Sequence, residues 1–245
     1  MADKIIKEIR YSESEIENIE GNSLPGNFGK IFKPTTDAVA IGQRIARKLN
    51  ELKFVSGEFD HININFTTTM PEGEFKESNR DVEKWLQYVD YGLSPSSFNT
   101  KTDAEKNSLI KDTTFKILKS LYSSDKQKLE TIIEVENLIC HFNTEIKISY
   151  KTKETSSYKI HVSYQIKPNG HSSKAIIEYL DKKTNFKGQT YFDLHFYDDI
   201  YPLIETIGVK DNIIVLNPKK SFRADLYNGR YKTPLQFEIN QLDKI

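Results

Sequence analysis

Apolar residues recur along this chain with two spacings, and the spacing changes at Asn143. From Thr102 to Phe142 they fall every three or four positions, the period of a helix with one buried stripe. Beyond Asn143 they fall at every second position: Ile146, Ile148, Tyr150, then Tyr158, Ile160, Val162, Tyr164 and Ile166. That is the period of strands with one dry face and one wet face.

Thr102-Asp-Ala-Glu105 has the form of a capping box, and the helix behind it carries Ile110, Thr114, Ile117, Leu118 and Leu121. Ser124-Asp-Lys-Gln127 reads as a second box, opening a helix with Leu129, Ile132, Ile133, Leu138, Ile139 and Phe142. So short a connection predicts an antiparallel helical hairpin. Strands are expected over 145–151, 158–166, 174–180, 190–197 and 212–216. A short helix within 198–207 has Pro202 in its first turn and Gly208 just past its end. Asn228-Gly229, between alternating runs at 222–227 and 231–239, predicts a hairpin, and Pro234 makes its second strand an edge.

Before residue 102 the pattern is mixed. Lys4–Tyr11 alternates and reads as an opening strand; Ser12–Lys33, with Leu24-Pro25-Gly26 and Gly29, reads as a long loop. Pro34 leads into a helix over 35–52, with Ala38, Ile41, Gly42, Ile45, Ala46, Leu49 and Leu52 as its apolar stripe. Phe59–Phe66 is a strand with Ile62, Ile64 and Phe66 on one face and His61, Asn63 and Asn65 on the other. Ser78–Tyr91 reads as a shorter helix, Ser78 and Asp81 at its start, burying Val82, Trp85, Leu86 and Val89. The expected class is α+β: an N-terminal β-α-β element, a central helical hairpin and a C-terminal, mostly antiparallel sheet. A single domain over 1–245 is expected. The one linker-like stretch is Ser94–Lys101, which would divide a mixed α/β part (1–93) from the helical hairpin plus antiparallel sheet (102–245).

Composition narrows the function classes. The chain has 245 residues, 37% hydrophobic and 29% charged, enough to build a core. Lys plus Arg equals Asp plus Glu at 35 each, which argues against nucleic acid as partner and leaves room for self-association. The small basic cluster Lys219, Lys220 and Arg223 reads as a solvated turn. One cysteine, Cys140, excludes an intrachain disulfide and a thiolate zinc cluster; it reads as a small buried hydrophobe. The opening MADKIIKEIRYSESE lacks the form of a signal peptide, and no run approaches the ~18–20 apolar residues of a membrane span. A cytoplasmic protein with no membrane partner is expected, and the abundance of Asn, Lys, Ile and Tyr fits an AT-rich bacterial genome.

No diagnostic catalytic, cofactor or metal motif is present. Gly26-Asn-Phe-Gly29-Lys30 precedes a helix but lacks the spacing of a phosphate-binding loop, and no cofactor is expected. Asp193-x-His195 would place a carboxylate and an imidazole about 7 Å apart on one strand face. With His61 or His161 alongside, that pair would form a metal or acid–base site. Asp198-Asp199 could bind a divalent ion, or simply start a helix. Tyr88, Asp90 and Tyr91 beside Trp85 form the densest aromatic segment and the candidate partner-binding residues. Three classes follow. The leading one is a non-enzymatic protein-binding module, such as a bacterial immunity-type protein that neutralises a cognate toxin. The second is a metal-dependent or acid–base enzyme working on the sheet's polar face through Asp193, His195 and His61. The third is a self-associating scaffold, a homo-oligomer joined through an open edge near the 222–239 hairpin.

Overall fold

The computed structural model describes residues 3–21, 23–80 and 83–245, and the fold is α+β. Its internal contacts divide the chain into two compact units, residues 1–146 with 168–170 and residues 147–167 with 171–245.

The first unit contains β1 (Lys4–Ile5), β2 (Glu8–Ser14), β3 (Gly26–Asn27), α1 (Ala38–Glu51), β4 (Val55–Gly57), β5 (His61–Thr67), β6 (Phe75–Glu77), β7 (Leu86–Gly92), α2 (Pro95–Asn99), α3 (Asp103–Leu121) and α4 (Lys126–Phe142). The expected β-α-β element is β2–α1–β5, its strands parallel with Glu8 opposite His61. A five-stranded sheet runs β3-β2-β5-β7-β6, and β1 pairs separately with β4. α1 packs on β2, and α3 and α4 pack on α1. Ile9, Ile62, Ile64, Phe66 and Val89 meet Ile41, Ile45, Leu49, Ile110, Ile117 and Ile132 in one core. Gly42 lets α1 approach the strand closely. A Cβ there would meet the Ile9 carbonyl oxygen at 2.6 Å and the Tyr11 ring at 3.0 Å. Gly42→Ala should therefore lower the urea midpoint, overpacking of about 1–3 kcal/mol outweighing the ~1 kcal/mol gained in helix propensity. A raised midpoint would mean that the helix and strand can separate freely.

Several local expectations change. Ser78–Tyr91 is not a helix: its second half is strand β7, flanked by β5 and β6. Val89–Gly92 are buried whichever way they face, so no wet side imposes a period of two, while the Tyr and Val content favours a strand. Asp81 and Val82 lie outside the described residues. Asn63 and Asn65, expected in water, are buried, because the other face of the sheet is dry as well. Within 12–33, Ser12–Ser14 belong to β2 and Gly26–Asn27 pair beside it. The segment behind them is tied down by Glu13. Its carboxylate accepts hydrogen bonds from the backbone N–H groups of Gly29, Lys30, Ile31 and Phe32 at 3.0, 2.6, 2.9 and 3.1 Å. That lock delivers Phe32 and Phe28 to an aromatic cluster with Phe66 and Phe98. The stretch 94–101 holds α2, capped by Ser94, with Phe98 fully buried.

The capping box at Thr102 and Glu105 forms, but α4 is capped by Asp125 rather than Ser124. Cys140 is exposed: α4 buries Ile132, Val135 and Ile139, and the next residue turns about 100° off that stripe.

The second unit contains β8 (Ile148–Glu154), β9 (Tyr158–Gln165), β10 (Ser173–Asp181), β11 (Lys187–Leu194), a 3-10 turn (Tyr197–Asp199), α5 (Ile200–Leu203), β12 (Thr206–Lys210), β13 (Ile213–Asn217), α6 (Phe222–Asn228), β14 (Leu235–Glu238) and β15 (Asp243–Lys244). An antiparallel sheet runs β15-β11-β10-β9-β8, and a smaller one runs β12-β13-β14, with β14 at the edge after Pro234. Ile160, Val162, Tyr164, Ala175 and Ile177 form the dry face of the larger sheet, and Phe192 meets Phe237 of the smaller at 6.0 Å. Gly208 lies within β12 rather than ending a helix.

The hairpin expected over 222–239 does not form. The Ser221 hydroxyl accepts the Ala224 N–H at 3.2 Å and opens α6; the Gly229 N–H donates to Asp225 at 3.0 Å and closes it. Asn-Gly here ends a helix, and the side-chain cap at Ser221 has overridden the turn preference.

Candidate functional site

The sequence candidates fall in different parts of the chain, His61 in the first unit and His161, Asp193 and His195 in the second. His61 opens β5, its Nδ1 2.6 Å from Asp60 and its Nε2 3.3 Å from Glu8. Burial acts to raise the Asp60 carboxyl pKa, but Lys7 and His61 outweigh it and hold that carboxyl below its ordinary value. This charge cluster sits at the amino ends of the parallel strands, whereas ligands of open α/β sheets bind beyond the carboxyl ends. Asp193 and His195 are exposed residues of the second unit. Asp193 stands opposite Lys174, and His195 follows the end of β11 with its ring against Tyr231 at 5.2 Å. His161 on β9 bonds to Thr152 at 2.9 Å and is separated from β11 by β10. Among the described residues no group of three or more His, Cys, Asp or Glu could hold a metal ion.

Of the candidate partner-binding residues, Asp90 and Tyr91 are buried within β7, and Tyr88 lies beneath the Arg80 guanidinium at 5.3 Å. Asp90 belongs to a polar network at the carboxyl ends of β2, β5 and β7. It accepts from Arg80 Nη1 and from Asn65 Nδ2, both at 2.6 Å; Asn65 also donates to Ser14, and Ser12 donates to Asn63 at 2.6 Å. Arg80 Nε donates to the Ser23 carbonyl at 2.9 Å, holding Ser23 against the network. The space left there is about 20 Å³, the size of one water. The network's groups satisfy one another and leave no room for a substrate.

The second unit presents a different surface, built on Asp199. This carboxylate is 1% exposed. Its Oδ2 accepts the Phe196 N–H at 3.0 Å and the Tyr231 hydroxyl at 2.5 Å, and that hydroxyl accepts the His195 N–H at 2.8 Å. Burial, and then the Asp199 carboxylate, push the Tyr231 hydroxyl pKa well above its ordinary value, so it remains a donor. The chain before α5 is thereby tied to the chain after α6. Of the paired acids, Asp199 is structural.

α6 on this frame is inside out. Its buried residues are Ala224 and Asn228; Phe222 and Leu226, one turn apart on the opposite side, are 83% and 63% exposed. A step further round, Tyr227 carries Arg230, whose guanidinium lies 5.8 Å from the Tyr227 ring and 5.6 Å from that of Phe196, itself 60% exposed. Two features of the sequence could have revealed this surface. Ser221 is a cap that starts a helix, and the helix then has only Ala224 and Asn228 to turn inward.

Comparison with protein-family models, with curated proteins and with solved structures finds no match. Among the described residues no helix is long and apolar enough to cross a membrane.

Proposed function

We propose that the chain is a non-enzymatic protein-binding module that engages its partner through the outward face of α6. The observation that carries this reading is the inverted helix: Phe222 and Leu226 outward, Ala224 and Asn228 inward. Folding gains nothing from large apolar groups held in water, whereas association does. Exposed rings with a stacked arginine beside them are also the composition of interface anchors. Neutralisation of a cognate bacterial toxin is the particular form of this reading that a toxin gene beside its own would support.

The test is a paired substitution, Phe222→Ser with Leu226→Ser. Both side chains already meet water, so stability should change by no more than about 0.5 kcal/mol. Affinity for the partner recovered by cross-linking in the source cells should fall at least ~30-fold, about 2 kcal/mol, by titration calorimetry. Unchanged affinity, or recovery of no stoichiometric partner, defeats the proposal.

A further inference from the structure

We infer that the surface received by α6 is acidic, an apolar groove edged with carboxylates. The inference rests on the reading that this helix face is a docking surface, and it adds the chemistry of the partner. Between residues 217 and 232 the chain has Lys219, Lys220, Arg223, Arg230 and Lys232 against Asp225, five cations less one anion, a local excess of four in a chain whose formal net charge is zero. All five cations are exposed, and none forms an ion pair among the described residues. Some cations elsewhere are paired, as Lys7 is with Asp60, Lys119 with Glu136, Lys147 with Glu178 and Lys182 with Glu154; what sets the 217–232 stretch apart is its local excess of positive charge. An apolar knob in a stretch with net positive charge is complementary to an apolar hollow edged with anions.

Arg230 sharpens the point. Its guanidinium lies over the Phe196 ring and over the Tyr227 ring, contacts that reduce its freedom before any partner arrives, and a guanidinium fork matches a carboxylate with two parallel hydrogen bonds. Other occupants fit less well. A second copy meeting the same face would bring two equally cationic patches together, because a two-fold contact uses the same patch on both copies. An anionic lipid headgroup would also accept from that fork, but α6 has seven residues and turns out only Phe222 and Leu226, little apolar area to bury in a bilayer. A nucleic acid would stack on several open rings, whereas Phe222 stands alone here: Arg230 already lies against Phe196 and Tyr227, and Leu226 has no ring to offer.

The experiment uses the full chain and two labelled helical peptides of equal length. They share one Leu/Phe stripe and differ in flanks of Glu or Lys. By fluorescence anisotropy at about 50 mM salt the Glu peptide should bind at least ~10-fold tighter than the Lys peptide, and its advantage should shrink at about 300 mM salt. Combined Lys219→Glu, Lys220→Glu, Arg223→Glu and Arg230→Glu should reverse the preference, and Phe222→Ser with Leu226→Ser should abolish binding of both peptides. Equal binding, no binding of either, or a preference that survives charge reversal overturns the inference. So does tighter binding of phosphatidylserine vesicles or of a single-stranded oligonucleotide. The two readings fail separately. A cognate complex lost in the apolar variant but indifferent to charge reversal leaves the docking face standing and removes the acidic partner; a complex that survives the apolar variant removes both.

Discussion

Asp90→Ala should destabilise the first unit by about 3–5 kcal/mol, the cost of stranding one member of a buried ion pair. The Arg80 and Asp90 side chains are 2% and 9% exposed and meet at 2.6 Å. Removing the carboxylate leaves a guanidinium without its counter-ion and the Asn65 amide, itself fully buried, without one acceptor. Arg80 would keep Ser78 and the Ser23 carbonyl, which tempers the loss without replacing the charge. For a unit of this size the loss corresponds to a fall of roughly 6–20 °C in Tm. Urea unfolding followed by circular dichroism measures it, and a change under 1 kcal/mol would show that the buried pair is not the keystone of that sheet face. Any binding through the proposed α6 surface should be unchanged in the folded fraction.

Glu13→Gln is expected to cost about 2–4 kcal/mol, because an amide turns an NH₂ group toward N–H donors that the carboxylate had satisfied. Burial acts to raise the Glu13 pKa, but the amides of Gly29, Ile31, Phe32 and Lys30 outweigh it and hold the pKa below the ordinary 4.5. The sign follows from linkage. The unfolded chain binds the proton more readily, so the contribution of Glu13 is complete above about pH 4.5 and drains away as pH falls through the lower, folded value. Stability measured against pH should therefore decline less steeply below pH 4.5 in Glu13→Gln than in the unaltered chain. Parallel curves would sink this account.

What could be read from the sequence follows from what each stretch touches. The wet-faced strands β8 to β11 show their period because one side of each meets water, and the Thr102–Glu105 box is local chemistry that needs no tertiary context. β7 was hidden because neighbours cover both its faces and erase the alternation. The 222–239 region was misread because Asn228-Gly229 is a strong turn signal in isolation, while Ser221 caps a helix in front of it. The outward apolar face of α6 escaped the sequence for the same reason, since Phe222 and Leu226 look like strand positions until the helix is known. The histidines were legible as polar-face residues, but strand order, which the sequence does not encode locally, keeps β9 from β11 and leaves no metal cluster among the described residues.

β8 forms one border of the larger sheet, and Lys151, Lys153 and Glu154 lie along it. Charge on a border strand discourages a neighbouring molecule from continuing the hydrogen-bonded ladder. On the opposite flank the two-residue β15 covers only Gly188 and Gln189 of β11. Growth of this sheet from chain to chain into filaments is therefore opposed along the β8 border, so in concentrated solution copies of the protein should not join there.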